Sequence, residues 1–214
     1  MTYLQLVNNV LKRLRERTVD TVDETTYSAL IGILVNDAKT EIENAWSWSA
    51  LRTTLSATTT SGTFNYELNG TQNSFKVLDV INDTSNYFMT YRTASDFNNW
   101  FLNNTPTSGS PRYYSFNGIS DDGDTLVDIF PVPNGAYDLR FNVVMPQAEL
   151  TSDSTTLLIP AKPVQMLAYA KAVEERGEDG GAASNTAYST AQRVLNDAIA
   201  FDSAKHPEEV IWNS

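Results

Sequence analysis

Apolar side chains recur along the chain at two different spacings, and each spacing predicts a different kind of element. Near the N-terminus they repeat every three or four residues, as in a helix with one buried face: Leu4, Val7, Leu11 and Leu14. From Tyr137 to Val143 apolar and polar side chains alternate, as in a strand with one buried face. The chain is therefore predicted to combine helices with β-strands.

Helical spacing is found in four segments, two near each end of the chain. They are residues 3–17, 26–48, 161–176 and 185–203. Thr2 and Gln5 have the spacing of a capping box before the first helix, and Asp23 is a candidate N-cap for the second. Pro160 and Pro163 suit the start of the third, where a missing amide donor costs little. Because each helix has an apolar stripe to cover, we expect the four to pack together.

The middle of the chain is rich in Thr, Ser, Asn and Gly and is typical of β structure. Short apolar runs predict strands at residues 62–68, 75–81, 87–93, 111–116, 125–130 and 137–143. The last two runs are joined by Pro-Val-Pro-Asn-Gly, which favours a turn and hence a hairpin. A short helix, capped by Ser95, interrupts the strands and directs Phe97, Trp100 and Phe101 toward the core.

Together these elements predict an α+β fold, a helical bundle built from both termini with an inserted β-rich domain. The bundle takes residues 1–50 and 159–206, and the β-rich domain, a small sandwich or barrel, takes residues 51–158. Pro207 cannot continue the last helix, so residues 207–214 form a separate C-terminal arm. No run of eighteen apolar residues and no charged-then-apolar leader occurs, so we expect neither a membrane span nor a cleaved signal.

Charge argues against a protein that grips nucleic acid. The chain has 15 basic and 26 acidic residues and a net charge of −11, whereas phosphate binding normally needs a basic surface. One basic cluster lies at the end of the first helix: Lys12, Arg13, Arg15 and Arg17. The helix dipole favours positive charge there, so a solvated face explains the cluster, with a phosphate or an acidic partner as the alternative.

Reactive side chains are scarce. The chain has no cysteine, which excludes disulfides, thiolate catalysis and cysteine metal sites, and its single histidine, His206, lies in a polar terminal segment. The best metal candidates are the acidic side chains of one loop and its neighbour: Asp121, Asp122, Asp124 and Asp128. They lack the alternating positions and the closing Glu of a calcium loop, so a tight turn is the favoured interpretation.

Carboxylates for glycoside hydrolysis are equally hard to pair. Glu41 and Glu43 are two residues apart on a helix and point different ways, while Glu174 and Glu175 are typical of a solvated helix end. No nucleotide-binding or nucleophile-elbow motif occurs. We therefore expect no enzymatic activity and no cofactor. Trp46 and Trp48 are interpreted as core packing rather than a sugar-stacking platform, because the segment lacks polar partners for a sugar.

Four segments, in this order, carry a resemblance to a known group of proteins. They are TYLQLVNNVLKRLRE (2–16), LIGILVNDAKTEIENAWSWSALR (30–52), IFPVPNGAYDLRFNVVMPQAEL (129–150) and IPAKPVQMLAYAKAVEE (159–175). Their order resembles that of the head-to-tail adaptors of tailed bacteriophages, of the podovirus type called tail tubular protein A or tail accessory factor. No single motif is diagnostic; the arrangement of the segments carries the resemblance.

The resemblance implies a structural virion protein at the head-tail junction, assembled in the host cytoplasm. Twelve copies would form a ring between the portal protein and the tail nozzle or tube proteins. The helices would bind the portal and neighbouring subunits, and the β-rich domain would face the tail. Genomic DNA would pass through without specific binding, which the negative net charge suits. The alternatives are a tail tube or fibre-attachment protein and a virion-associated cell-wall hydrolase.

The C-terminal arm contains an apolar triplet, Val210, Ile211 and Trp212, that has no helical periodicity to place it in the bundle. Large aromatic side chains dominate binding hot spots, so these three residues are the predicted partner-binding site, toward the portal or an adjacent adaptor. The alternative is that Trp212 folds back and covers its own bundle.

Overall fold

The computed structural model describes residues 1–70, 74–102, 106–177 and 181–205 and has a mixed α+β fold, which confirms the predicted class. Its α-helices are α1 (Tyr3–Arg13), α2 (Thr26–Ala45), α3 (Ala94–Leu102), α4 (Ala161–Arg176) and α5 (Ala182–Ser203). Short 3-10 turns at Val22–Glu24 and Ser49–Leu51 precede and follow α2.

The N-terminal ends of α1 and α2 are fixed by capping boxes. At α1 the box is the predicted one, in which the Thr2 hydroxyl accepts from the Gln5 amide and the Gln5 side chain accepts from Thr2. At α2 the predicted cap was wrong: Asp23 lies inside the 3-10 turn, and Thr25 exchanges hydrogen bonds with Ser28 instead. A hydroxyl two residues closer to the helix thus satisfies the free amides.

The cap of α3 also differs from the prediction. The hydroxyl of Thr93 accepts from the Asp96 amide at 3.3 Å, so the helix begins at Ala94, one residue before the predicted cap Ser95. Phe97 points into the core as expected and is buried. Ser95 therefore lies inside the helix, and the hydroxyl that caps it belongs to Thr93.

The helices other than α3 fall into one compact unit, formed by Met1–Leu51 and the chain from Pro146 onward. Within it α4 packs against α1, α2 and α5, and α1 also packs against α2. Each helix contributes a buried apolar stripe, for example Leu6, Val7, Val10 and Leu11 on α1 and Ile31, Val35, Ala38 and Ile42 on α2. Burial of these stripes supplies the main stabilisation of the unit.

The segment between residues 146 and 158, which the sequence placed in the β-rich domain, belongs to the helical unit. Its backbone is hydrogen-bonded there: Asn36 of α2 receives a bond from the Leu150 amide and donates one to the Leu150 carbonyl. The Asp153 carboxylate accepts from the Val22 amide at 3.1 Å. The segment has no apolar periodicity, so its partners were invisible in the sequence.

The second compact unit, Arg52–Met145, holds two four-stranded sheets. Its strands are β1 (Arg52–Thr58), β2 (Asn65–Leu68), β3 (Lys76–Asn82), β4 (Tyr87–Phe88), β5 (Thr90–Tyr91), β6 (Tyr113–Ile119), β7 (Thr125–Phe130) and β8 (Asp138–Val144). One sheet has the order β1-β8-β3-β4 and the other β2-β7-β6-β5. Both sheets contribute to one buried core, whose members include Val80, Val127, Ile129, Leu139 and Phe141. The unit is therefore a β-sandwich.

The hairpin predicted for β7 and β8 was wrong, although both strands exist. β7 pairs with β2 and β6, whereas β8 pairs with β1 and β3, so the connection crosses from one sheet to the other. Pro131 and Pro133 cannot donate to a ladder between the two strands. The connection bonds other loops instead: the Gly62 amide donates to the Pro133 carbonyl, and Val132 exchanges bonds with Thr107 and Gly109.

Candidate assembly surfaces

A groove runs along the helical unit between α2 and α5, with α4 beneath it. Its volume is about 800 Å³, and we call it the α2–α5 groove. Its apolar lining consists of Ile42, Ala45, Leu167, Ala191 and Leu195, and its polar rim of Glu41, Tyr188, Ser189, Gln192, Arg193 and Asn196. An apolar floor with a polar rim is the usual form of a groove that receives a peptide or helix.

Polar contacts attach each wall of the groove to α4. On the α2 side Lys171 forms an ion pair with Glu41, and on the α5 side the Tyr188 hydroxyl donates to Glu174. Burial of Tyr188, together with its bond to Glu174 and the nearby negative charge of Glu41, raises the pKa of Tyr188 to about 12. Along the groove, each wall is thus tied to the floor helix α4.

At one end the walls meet at a buried carboxylate, Asp202 of α5. It accepts from Trp46 Nε1 at 3.1 Å, from the Ser49 amide at 2.9 Å and from the Ser49 hydroxyl at 2.6 Å. Lys205 pairs with it at 3.1 Å. Burial alone would raise the pKa of Asp202, but the bonds from Ser49, Lys205 and Trp46 outweigh it and lower the pKa from 3.8 to about 2. Asp202 therefore fixes the end of α5 to the chain after α2.

Large apolar side chains are exposed on each unit. In the helical unit Phe201 of α5 is 78% exposed and Ile33 of α2 is 59% exposed. In the β unit the most exposed are Leu102, Phe88, Tyr91 and Ile119. Side chains of this size favour contact with another protein surface.

The basic cluster after α1 gains a further cation from α4. Arg176 donates to the Tyr27 hydroxyl at 2.8 Å and pairs with Glu16, and these bonds raise its pKa above the ordinary value. With Arg13 and Arg15 it lines a cavity of about 390 Å³. Arg17 pairs at the surface with Glu24. Arg13 and Arg15 are exposed and pair with no described residue.

Two of the four acidic residues considered for a metal site are held in structural contacts. Asp124 accepts from the Gly70 amide, and Asp128 accepts from Asn65 and Asn117. Asp121 and Asp122 lie exposed in the turn between β6 and β7. Within residues 1–70, 74–102, 106–177 and 181–205, no group of His, Asp and Glu is arranged to hold a metal ion. None of the described helices combines the length and apolar character of a membrane span.

Burial decides the role of two further residues that the sequence analysis considered. Glu43 forms a buried ion pair with Lys39, only four residues away, so it does not face a substrate. Trp48 is fully buried and donates from Nε1 to the Ile42 carbonyl at 2.7 Å, which confirms its interpretation as core packing. Trp46 is half-buried and bonds Asp202.

The predicted partner-binding residues Val210, Ile211 and Trp212 lie outside the described residues, as does His206. The groove and the Asp202 contacts were missed in the sequence. The groove depends on the distance between α2 and α5 where they pack on α4, and the apolar periodicity of a sequence does not give the distance between helices. The only available signal was an aspartate on the apolar stripe of α5, seven residues after Leu195.

Comparison with known proteins gives one family. No curated protein matches the chain. The family model described as SU10 adaptor protein matches residues 1–209. It represents structural proteins of bacteriophages that act at the head-tail junction, between portal and tail components. The chain therefore belongs to the SU10 adaptor protein family, a family of phage head-to-tail adaptors, as its resemblance to such proteins predicted.

Proposed function

We propose that twelve copies of this adaptor form a ring between the portal and the tail nozzle or tube, and that the genome passes through the ring without specific binding. The observation that carries the proposal is the family match over residues 1–209, together with the order of segments that resembles ring-forming adaptors. Assembly takes place in the host cytoplasm. Because the chain has no cysteine, it carries no thiol that could be oxidised when the particle later leaves the reducing cytoplasm.

Helices α1, α2, α4 and α5 form one bundle built from both ends of the chain, with the β-sandwich as the inserted domain. The contacts of α4 with α1 and α2 on one side and α5 on the other support this arrangement. The β-sandwich begins and ends side by side, because Arg52 of β1 pairs with Val144 of β8. An insertion with adjacent ends disturbs its host domain least. The bundle binds the portal and neighbouring subunits, and the sandwich faces the tail.

A ring requires two different contact surfaces on every subunit, because its interfaces are heterologous. The exposed apolar residues Phe201 and Ile33 supply candidate contacts on the bundle. The net charge of −11 suits a passage along which DNA must slide. The arm residues Val210, Ile211 and Trp212 supply a further contact, to a partner protein. The adaptor is a structural protein and needs neither a catalytic group nor a cofactor.

Native mass spectrometry with and without the portal protein of the same phage tests the proposal. We expect monomers or weak oligomers of the isolated chain at micromolar concentration and a closed ring on the portal, because early ring closure would compete with ordered assembly. A tube formed by the chain alone would indicate a tail-tube protein. A monomer that clears peptidoglycan would indicate a hydrolase. Either result contradicts the adaptor ring.

Deletion of residues 207–214 tests the arm separately. If the arm binds a partner, the truncated chain should keep its melting temperature and lose ring formation on the portal. A drop of several degrees with ring formation intact would instead mean that Trp212 covers its own bundle.

A further inference from the structure

The α2–α5 groove has the properties of an unfilled receptor site. Its floor contains apolar side chains of three helices, among them Ile42, Leu167 and Leu195, while most of the rim is exposed. Arg193 on the rim forms no ion pair with a described residue. The site therefore suits an apolar segment that carries negative charge beside it.

The C-terminal arm has that chemistry. In PEEVIWNS two glutamates, Glu208 and Glu209, come directly before the apolar triplet. Trp212 and its neighbours can fill the groove between α2 and α5, and the glutamates can reach Arg193 at its rim. Such a combination of aromatic anchor and complementary rim charge is how short segments achieve specific binding.

The length of the arm indicates whether it binds in the groove of its own subunit or in that of a neighbour. The structure describes the chain to Lys205, which lies about 21 Å along α5 beyond Ala191 in the middle of the groove and about 18 Å beyond Arg193, at a rise of 1.5 Å per residue. A four-residue reversal would use residues 206–209. The extended residues 210–212 would then return only about 10 Å, so Trp212 would stop short of the middle of its own groove, and Glu208 and Glu209 would not reach Arg193 of their own subunit.

We propose that Trp212, with Val210 and Ile211, binds in the α2–α5 groove of the adjacent subunit and so joins neighbours in the ring. This inference rests on the proposed ring. It assigns the two surfaces of a heterologous contact: the arm on one subunit and the groove on the next. Repetition of such a contact around an axis closes a ring.

Peptide binding tests the groove without a ring. The probe is a fluorescent peptide of residues 207–214, titrated into the full chain carrying Trp212→Ala, so that the chain's own arm does not compete. We expect saturable binding that weakens at least ten-fold when the peptide lacks its tryptophan. Ser189→Trp, which fills the groove from an exposed position, should weaken binding equally. Ala200→Trp is the matched control, exposed on the same helix and outside the groove lining.

Charge reversal adds a rescue. Arg193→Glu should weaken binding of the native peptide, and a peptide with lysine in place of Glu208 and Glu209 should restore it. Absence of saturable binding, or equal losses from Ser189→Trp and Ala200→Trp, would overturn the assignment of the groove.

Cross-linking identifies the owner of the groove, and the cysteine-free chain makes engineered pairs unambiguous. Chains carrying Gln192→Cys are mixed with chains carrying Asn213→Cys and assembled on the portal. We expect covalent dimers, and a ladder of covalent oligomers from the double variant, while Ala200→Cys in place of Gln192→Cys gives neither. Purely intramolecular disulfides would overturn docking between neighbours. If no ring forms on the portal, the proposed function fails, whereas a ring without these cross-links refutes only the arm contact.

Discussion

Asp202 accepts two hydrogen bonds from Ser49, 153 residues earlier in the chain, one from its amide at 2.9 Å and one from its hydroxyl at 2.6 Å. The contact joins the last helix to the turn that leads from α2 into the β-sandwich. It therefore ties together the two chain segments that form the helical unit, with one residue from each segment. A carboxylate that is buried among donors must stay ionised to keep these bonds.

We predict that Asp202 makes stability pH-dependent at acid pH. Its pKa is about 2 in the folded state and about 3.8 in the unfolded state, so the ionised carboxylate stabilises the fold fully above pH 4. This contribution, on the order of 2 kcal/mol, should be lost as the pH falls from 4 toward 2.

Urea unfolding between pH 2 and 7 measures the effect. Asp202→Asn should lower the free energy of unfolding at pH 7 and flatten its acid dependence. Asp197→Asn, an exposed change on the same helix, is the control and should alter neither. Equal pH profiles of the native chain and Asp202→Asn would contradict the assigned role.

A buried ion pair gives the second prediction. Lys39 and Glu43 of α2 lie 3.0 Å apart with side chains only 2% exposed, and both bond the backbone of Gln147. Glu43→Ala should cost about 3–5 kcal/mol, because it leaves a buried ammonium without its charge partner.

The double variant Lys39→Met with Glu43→Leu distinguishes charge from packing. Replacing both members by apolar groups of similar size should recover most of the loss, measured by urea unfolding. The contrary outcome is that the double variant loses as much stability as the single variants Lys39→Met and Glu43→Leu lose in sum. In that case the pair stabilises the fold through its bonds to Gln147, and not through the attraction between the two charges.

Close helix contact at Gly32 gives the third prediction. A Cβ at this position of α2 would lie 2.8 Å from Val22 Cγ1 and nearer still to the Tyr3 hydroxyl. Gly32→Ala should therefore destabilise the chain by about 1–3 kcal/mol, although alanine favours a helix by about 1 kcal/mol. Tyr3→Phe in the same chain should recover part of the loss in thermal unfolding. A Gly32→Ala chain as stable as the native one would show that α1 can move away.

An element of the fold could be predicted from the sequence only where its own segment carried a local pattern. Helix α4 was placed at 161–176 because its periodicity, its N-terminal prolines and the following Gly177 agree. Strand β1, by contrast, was missed, since its Thr-rich sequence has no fully buried position and is stabilised by pairing with β8. The pairing of β7 and the groove between α2 and α5 depend on contacts between distant segments, which no local pattern encodes.

The fourth prediction separates stability from assembly at Phe201. This side chain lies on α5 one residue before the buried Asp202, yet it is 78% exposed. An exposed aromatic ring contributes little to the stability of its own subunit, because its apolar surface stays in contact with water after folding. In a ring interface the same surface would be removed from water, with a gain of about 25 cal/mol for each Å² that is buried. Phe201→Lys, whose positive charge suits the C-terminal end of a helix and the neighbouring Asp202, should therefore leave the melting temperature within about one degree and abolish ring formation on the portal.

The matched change is Phe141→Lys, in the fully buried core of the β-sandwich, which should unfold that unit and lower the melting temperature strongly. Native mass spectrometry on the portal and thermal unfolding give the two readouts for each variant. Rings of Phe201→Lys subunits that are as abundant as native rings would remove Phe201 from the interface. A melting temperature that falls with Phe201→Lys would mean that the exposed ring covers apolar surface of its own helix, and that its loss acts on folding before it acts on assembly.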